Sequence, residues 1–287
     1  MIPDYPFYVP DYDRAGKHAS QSPLASKIFQ YPISYWYGER HGKSIKNLSQ
    51  RVGRLMERCY PALPVIVIYN LPDRDIGQHS KGGSYDRNHY FDFIEDIALG
   101  IGDAQPIIIF EPDALPHSTL MEPSHAQYRY ETMHGGLVLL DELCGGSVYV
   151  DVGHSNWLTP IQAATLLNRV ATSQICGFSV NVSNFRTTSE SIEWASKVSE
   201  YTTHKHFVID TSRNGSGPCQ DQWCNPPGRS LGVPATTATG NLQCDAFLWV
   251  KVPGESDGTA NGGPKAGKFW PEYASDLVKN TNASWIS

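Results

Sequence analysis

Short apolar runs, each bounded by Gly, Pro, Asn or Asp, alternate along the chain with longer stretches whose apolar residues recur at helical spacing. The spacing predicts helices over residues 44–59, 85–99, 124–143, 160–172, 189–201 and 271–280. The apolar runs predict β-strands over residues 65–70, 107–111, 148–152, 178–181, 207–210 and 246–252. Near-continuous apolar strands that alternate with helices are typical of a parallel sheet covered on both faces. The pattern therefore predicts an α/β fold.

The 287 residues contain no internal repeat, low-complexity tract or linker, so we expect one domain over residues 1–287. Parallel α/β barrels commonly reach this length as single domains. One segment departs from the alternation of strands and helices. Residues 213–241 are rich in Gly, Pro, Asn and Thr and are too long for a simple connection, which predicts a ligand-binding loop.

The composition narrows the classes of partner. The formal net charge is −6 and no Lys/Arg-rich run follows a phosphate backbone, which argues against nucleic acid. No apolar stretch approaches the ~20 residues that span a bilayer, and residues 1–4 do not resemble the start of a signal peptide. The 7 Trp and 15 Tyr residues offer rings that can stack on the flat apolar faces of sugars.

Aspartates close or follow five of the predicted strands, and parallel strands bring these ends to one edge. They are Asp75, Asp113, Asp151, Asp210 and Asp257. A single aspartate at a strand end usually caps a helix or organises a loop. Five that converge at the carboxyl edge of a barrel predict an active-site cleft. Because like charges repel, we expect some of them to stay protonated, to bind a cation, or to pair with Arg74, Arg213 or Lys251.

Two chemistries use a carboxylate-lined cleft, namely metal-assisted hydrolysis and glycoside hydrolysis by an acid and a base. Three histidines near the motifs could serve as metal ligands: His79, His117 and His154. No HxxxH motif occurs, and the nearest acidic run, Asp73-Arg74-Asp75, has an arginine between its acids, so we expect neither a metal nor a cofactor. Tryptophans accompany the acids instead: Trp36, Trp157 and Trp223, together with Trp249, for which core packing within a strand is the favoured role. The sequence thus favours glycoside hydrolysis.

Six motifs resemble glycoside hydrolase family 6, the inverting cellulases, in the order and approximate spacing of that family. They are YNLPDRD, FEPDAL, YVDVGHSNW, VIDTSRNG, QWCNPPGR and WVKVPGESDG, and they cover essentially the whole chain. The resemblance implies a distorted parallel β/α barrel that is TIM-like, usually with seven strands, and whose substrate lies across the strand ends.

The resemblance also implies roles for individual residues. Asp113 matches the general acid, and Asp75 matches a second aspartate that keeps the acid protonated and takes a proton from water through a water chain. Asp257 matches a residue proposed as base or charge stabiliser, so the identity of the base stays open. Tyr69 matches the tyrosine that distorts the reacting sugar. Further matches imply a substrate-binding set: Trp36, Asp151, His154, Trp157, Asn181, Trp223, Lys251 and Glu255.

This chain departs from the family at several positions. Lys81, with Ser80 beside it, stands where the family tends to have a serine that positions the attacking water. Ile76 and Thr259 replace cysteines of the two family disulfides. Cys219 and Cys224 are close enough in sequence to pair with each other, whereas the remaining cysteines could equally be reduced and buried, so the pairing stays open.

The implied activity is that of an extracellular, monomeric endo-β-1,4-glucanase acting with inversion on cellulose, related β-glucans or cello-oligosaccharides. The alternatives are a processive cellobiohydrolase of the same family and a non-catalytic β-glucan-binding protein. Chain-end cutters of the family roof the site with two long loops. The corresponding segments here are short, since only residues 258–269 separate Asp257 from Trp270 and little more than one helix lies between Asn184 and Phe207. We therefore expect an open cleft.

Overall fold

A computed structural model describes residues 2–10, 22–39, 46–77 and 80–286. Seven strands occur in these ranges: β1 (Ser34–Tyr37), β2 (Val65–Ile68), β3 (Ile107–Phe110), β4 (Ser147–Asp151), β5 (Gly177–Val180), β6 (His206–Asp210) and β7 (Cys244–Leu248). The α-helices of the same ranges are α1 (Pro23–Ser26), α2 (Leu48–Cys59), α3 (Arg87–Ile101), α4 (Ala114–Ser118), α5 (Pro123–Leu143), α6 (Pro160–Val170), α7 (Thr188–Glu200) and α8 (Pro271–Lys279). Short 3-10 helices cover Lys27–Gln30, Asp75–Gly77, Ala260–Gly262 and Ser284–Ile286.

The strands form one parallel seven-stranded sheet in the order β1-β2-β3-β4-β5-β6-β7. Each strand therefore pairs with the next strand along the chain, as in a β/α barrel. The two outer strands approach each other through β1 and the chain beyond β7, where the N–H of Ser34 donates to the carbonyl of Trp249 at 3.3 Å. The indole N–H of Trp36 donates to the carbonyl of Val250 at 2.8 Å. The predicted fold class, an α/β fold with a distorted TIM-like barrel, is confirmed.

Alternation along each strand produces two apolar layers. In β2, Val65 and Val67 belong to the cluster inside the barrel, whereas Ile66 and Ile68 pack with the surrounding helices. Fully burying one such side chain contributes about 1.5–3 kcal/mol. Because both strand faces are covered by apolar residues, the polar chemistry of the chain is left to the strand ends and the loops.

Most predicted elements form, with shifted ends. The helix predicted over 44–59 begins at Leu48, and residues 44–45 lie outside the described residues. Pro160 begins α6 as predicted, behind a capping box in which Thr159 accepts from the N–H of Gln162. Strand β1 and the short helices α1 and α4 were not predicted. Proline occurs in both of these helices, at Pro23 and Pro116, and weakens the helical pattern.

The predicted binding loop follows β6. Residues 211–243 connect β6 to β7 without a helix among the described residues, and Trp223 in this loop reaches the cleft. Cys219 and Cys224, whose pairing the sequence left open, are both free thiols. Across the described ranges, no helix combines the length and the apolar character needed to cross a bilayer.

Candidate active site

A cleft of about 400 Å³ lies at the carboxyl edge of the sheet. Strand ends and following loops contribute to it, as predicted from the placement of the acids. The cleft contains nine of the residues predicted for the site: Trp36, Tyr69, Asp75, Asp113, His154, Trp157, Trp223, Lys251 and Asp257. The fold thus brings together residues that are more than 200 positions apart in sequence.

Asp113 occupies the turn between β3 and α4. Its backbone is left-handed, with φ 66°, and its N–H donates to Oδ2 of Asp151 at 2.9 Å. Burial raises the pKa of Asp113 well above its usual range, and the charges of Asp151, Asp75 and Asp257 raise it further. A carboxyl group in this environment holds its proton near neutral pH, as a general acid must.

Asp75 lies in a strained turn after β2. Asp75 and Ile76 both have positive φ, at 64° and 32°, which non-glycine residues adopt at a cost of about 1–3 kcal/mol. The N–H of Ser80 donates to Oδ2 of Asp75 at 2.6 Å. Ser80 lines the cleft, whereas Lys81 is exposed to solvent and lies outside the cleft lining. Ser80, beside the substituted position Lys81, is therefore the residue that contacts Asp75.

Arg74 and Glu111 hold the Asp75 turn in place. The guanidinium of Arg74 donates to the carbonyl of Ser80 at 3.1 Å and to that of Glu39 at 2.7 Å, and it also binds the carbonyl of Tyr69. Glu111 is fully buried and accepts the N–H groups of Asn70 and Leu71. Burial raises the pKa of Glu111 to about 7, although these backbone bonds oppose the shift. This role of Glu111 was not predicted from the sequence, although a charged residue directly after an apolar strand is a signal for it.

Asp257 has the opposite electrostatic environment. Its Oδ2 lies 2.7 Å from Nη1 of Arg213, and its Oδ1 lies 3.1 Å from Nζ of Lys251. The N–H of Asn225 also donates to Oδ2, at 3.1 Å. Burial alone would raise the pKa of Asp257, but Arg213 and Lys251 bring it below its usual value. Asp257 is therefore an ionised carboxylate with both oxygens engaged, and the predicted pairing of an acid with Arg213 and Lys251 is confirmed.

Asp151 and Asp210 lie beneath the cleft rather than in its lining, and both are fully buried. Asp151 accepts the N–H of Asp113, the N–H of Gly153 at 3.2 Å and the hydroxyl of Ser179 at 3.1 Å. Burial raises its pKa to about 7, against these hydrogen bonds. Asp210 accepts backbone N–H groups from the loops after β5, β6 and β7. These two aspartates organise loops, which is a usual role of an aspartate at a strand end.

Two other residues of the predicted substrate-binding set also lie outside the cleft lining. Asn181 is fully buried, and its amide joins two loops by donating to the carbonyls of Arg186 and Asp210 at 3.2 and 2.8 Å. Glu255 is half-buried and pairs through its backbone with Phe269. Like Asp151, neither residue is among those that line the cleft, and their contact with substrate stays a prediction.

Aromatic rings line two parts of the cleft. Trp36 and Tyr69 meet edge to face at 5.5 Å, and the guanidinium of Arg74 lies 4.6 Å from the centre of the Tyr69 ring. The ring centroids of Trp157 and His154 are 5.7 Å apart. Trp223 is 43% exposed, which leaves its ring accessible. Exposed and half-buried rings beside carboxylates are suited to stacking on sugars.

Several lining residues were not predicted for the site, among them His117, Asn156, Ser183, Arg186 and Asp221.

His117 and His154 are two of the three histidines that could serve as metal ligands, and the third, His79, lies outside the described residues. Among the described residues, no cluster of three or more His, Cys, Asp or Glu side chains could hold a metal ion. Burial lowers the pKa of His154 to about 4, with a further contribution from Arg186.

The sequence and the structure of this chain are both similar to those of known proteins. Residues 10–281 match the family model described as Glycosyl hydrolases family 6. The chain is 39% identical over 264 residues to Endoglucanase A of Cellulomonas fimi, and covers 57% of that protein with 91% of its own length. It is 34% identical over 290 residues to Endoglucanase A of Thermobispora bispora, and covers 62% of that protein with 96% of its own length. The chain thus spans about three fifths of these two relatives.

A solved structure is similar over almost the whole of both chains. The endoglucanase Cel6 from Mycobacterium tuberculosis, in complex with methyl-cellobiosyl-4-deoxy-4-thio-beta-D-cellobioside, superposes with a TM-score of 0.91 at 39% identity. The match covers 97% of this chain and 98% of that chain.

Proposed function

The chain belongs to glycosyl hydrolases family 6, and from this membership we propose that it is an endo-β-1,4-glucanase that hydrolyses internal bonds of cellulose or a related β-glucan with inversion. One observation carries the proposal. The cleft holds a carboxyl group with a raised pKa, Asp113, and a carboxylate with a lowered pKa, Asp257. A protonated acid in the same cleft as an ionised carboxylate is typical of glycoside hydrolysis, whether the carboxylate acts as base or stabilises developing positive charge.

Asp113 is the general acid of this mechanism. Its proton is held by burial and by neighbouring negative charge, and it passes to the glycosidic oxygen as the bond to the leaving sugar breaks. Asp151 is a positioning residue, because its hydrogen bond from the N–H of Asp113 sets the turn that presents the acid.

Asp257 is poorly suited to take a proton, because both of its oxygens are bound by cations. Its remaining negative charge can stabilise the positive charge that develops on the reacting sugar. Asp75 is the better candidate for the base, acting through water. Its carboxylate lines the cleft beside Ser80, and the raised pKa of Asp113 includes a contribution from Asp75. Inversion requires a water between base and sugar, for which carboxyl groups stand roughly 6.5–9.5 Å apart.

Tyr69 assists by shape. Burial raises the pKa of its hydroxyl, as do the charges of Asp113 and Asp75, so the phenol stays neutral in the cleft. The ring is held between Trp36 and Arg74. A rigid ring at this position can press the reacting sugar out of its relaxed chair, which lowers the barrier to the flattened transition state.

The endo mode is supported by the segments that would form a roof. Between β5 and β6 the chain forms α7 and its connections, and the segment 258–270 contains only the 3-10 helix Ala260–Gly262. Neither segment provides material for a long lid, so an internal stretch of polymer can bind sideways. A glucan polymer does not enter cells, which supports an extracellular site of action. The proposal includes a single catalytic domain over residues 1–287 that acts as a monomer; the one seven-stranded sheet that carries the cleft supports the single domain.

The test is a comparison of viscosity with reducing ends during hydrolysis of carboxymethylcellulose. Random internal cuts shorten chains early, so we expect the viscosity to fall steeply while few reducing ends have formed. A preparation of D113N is the matched control and should change neither quantity. A slow fall in viscosity, with cellobiose dominant from the first minutes on swollen cellulose, would support the cellobiohydrolase alternative. No turnover on any β-glucan would support the non-catalytic binding protein.

A further inference from the structure

His117 is a polar cleft residue that the proposed reaction does not use. Helix α4 starts directly after Asp113, and the N–H of His117 donates to the carbonyl of Asp113 at 3.0 Å. His117 is therefore one helical turn beyond the acid, a rise of roughly 5.4 Å. This short rigid link fixes the imidazole relative to the group that acts on the scissile bond.

The imidazole of His117 packs against the ring of Trp157. The rings of His117 and Trp157 meet at 72° with centroids 4.9 Å apart. The segment that leads to Trp157 also packs closely against α4. At Gly153 there is no room for a side chain, since a Cβ there would lie only 2.7 Å from Cγ of Pro116 in α4. Helix α4 and this segment therefore form one wall of the cleft, with His117 beside the indole.

The hydrogen-bonding capacity of His117 is unused. The residue is 3% exposed, and its Nδ1 has no hydrogen-bond partner among the described residues. Burial, together with the charge of Arg129, lowers its pKa to about 4, so the ring is neutral over the mildly acidic to neutral range. A neutral imidazole offers one N–H donor and one acceptor. Buried polar groups usually have partners, and a sugar hydroxyl is a suitable partner for a neutral imidazole.

We propose that the imidazole of His117 hydrogen-bonds a hydroxyl of the glucose unit that stacks on Trp157, and thereby helps to select the register in which a glucan chain binds. The inference rests on the proposed function. A glucose ring has apolar faces and a rim of hydroxyls that donate and accept. A unit stacked on the indole of Trp157 therefore directs hydroxyls toward neighbouring polar groups, of which the contacting imidazole of His117 is one.

Binding to an inactive enzyme tests this contact without turnover. Calorimetric titration with cellopentaose compares D113N with D113N/H117F, in which phenylalanine keeps the ring but loses both hydrogen-bonding atoms. We expect Kd to rise roughly 5- to 10-fold, as for loss of one buried hydrogen bond. D113N/H117Q, which keeps a donor but loses the ring, should bind more tightly than D113N/H117F. The control D113N/H125F changes an exposed histidine on α5 and should leave Kd unchanged.

The outcomes separate this inference from the proposed function. Absence of binding by D113N itself would count against the proposed function. Binding by D113N with equal Kd in D113N/H117F overturns only the role of His117. If D113N/H117Q binds more weakly than D113N/H117F, the ring contributes by packing and the hydrogen bond is refuted. Should the phenylalanine variant not fold, D113N/H117L, which also lacks a donor, makes the same comparison.

Discussion

Replacement of Arg213 by methionine tests whether Asp257 is an ion held by its partners. The guanidinium is fully buried, and its Nη1 lies 2.7 Å from Oδ2 of Asp257. Methionine keeps apolar volume but removes the charge. Because loss of one partner leaves a buried charge poorly compensated, we expect R213M to lower the free energy of unfolding by about 3–5 kcal/mol near neutral pH.

The cost should depend on pH. Arg213 and Lys251 bring the pKa of Asp257 below its usual value despite burial, so the carboxylate stabilises the folded protein above the unfolded-state pKa of about 3.9. That contribution is lost as the pH falls through the folded-state pKa. In R213M mainly Lys251 still opposes the effect of burial, so the pKa of Asp257 rises. Protonation of Asp257 at lower pH then removes the poorly compensated charge and restores part of the stability. The difference between the two proteins should therefore shrink as the pH falls from about 7 toward about 4.

Urea unfolding followed by tryptophan fluorescence measures both effects. The matched control is R87M, which breaks the exposed pair between Arg87 and Glu131, 3.0 Å apart with side chains 30% and 52% exposed. Such a pair is worth about 0–1 kcal/mol. Adding D257N to R213M should recover part of the loss, because the unpaired charge is removed. The reasoning is refuted if R213M costs no more than R87M, or if its cost is the same at both pH values.

Three further predictions concern the reaction. D113N should lower the hydrolysis rate of unactivated glucan by roughly 10²–10⁴ and should affect a substrate with a good leaving group less; a variant that keeps a tenth of the cellulose activity would remove Asp113 from the acid role. Proton NMR during hydrolysis of a cello-oligosaccharide should show the α-anomer first, and initial β-anomer would indicate a covalent intermediate instead. Asp75→Ala should move the alkaline limb of the pH profile to lower pH, because burial and Asp151 would still raise the pKa of Asp113 but the contribution of Asp75 would be absent; an unchanged profile would argue that Asp75 does not tune the acid.

Local patterns predicted the strands well where both neighbouring layers are apolar. Strand β3 was predicted over 107–111 and ends at Phe110, because Glu111 has a positive φ of 49° that takes it out of the sheet. Strand β1 was missed, since Ser34–Tyr37 mixes buried and half-buried positions and carries no continuous apolar run. Its place in the sheet depends on pairing with β2, which is a contact between distant segments.

The strand-end acids show what a linear pattern can and cannot determine about the site. Their placement correctly indicated the edge of the barrel where the cleft lies, because parallel strands share one direction. Which of these acids line the cleft and which are buried beneath it did not follow from that placement. Asp151 is the last residue of β4 and accepts the N–H of Asp113, whereas Asp75 and Asp257 reach the cleft from the segments that follow β2 and β7.

The sequence by itself determined the order of the elements, the edge of the sheet that carries the acids, and the inventory of aspartates and aromatic rings. It did so because these depend on residue type and on spacing within one segment. Only the tertiary structure decided the protonation states. Asp113 and Asp257 both follow strands, yet Asp113 lies among carboxyl groups while Asp257 meets Arg213, 44 positions earlier in the chain. A pKa depends on burial and on charges a few ångströms away, and the folded chain supplies both from segments that are remote in sequence.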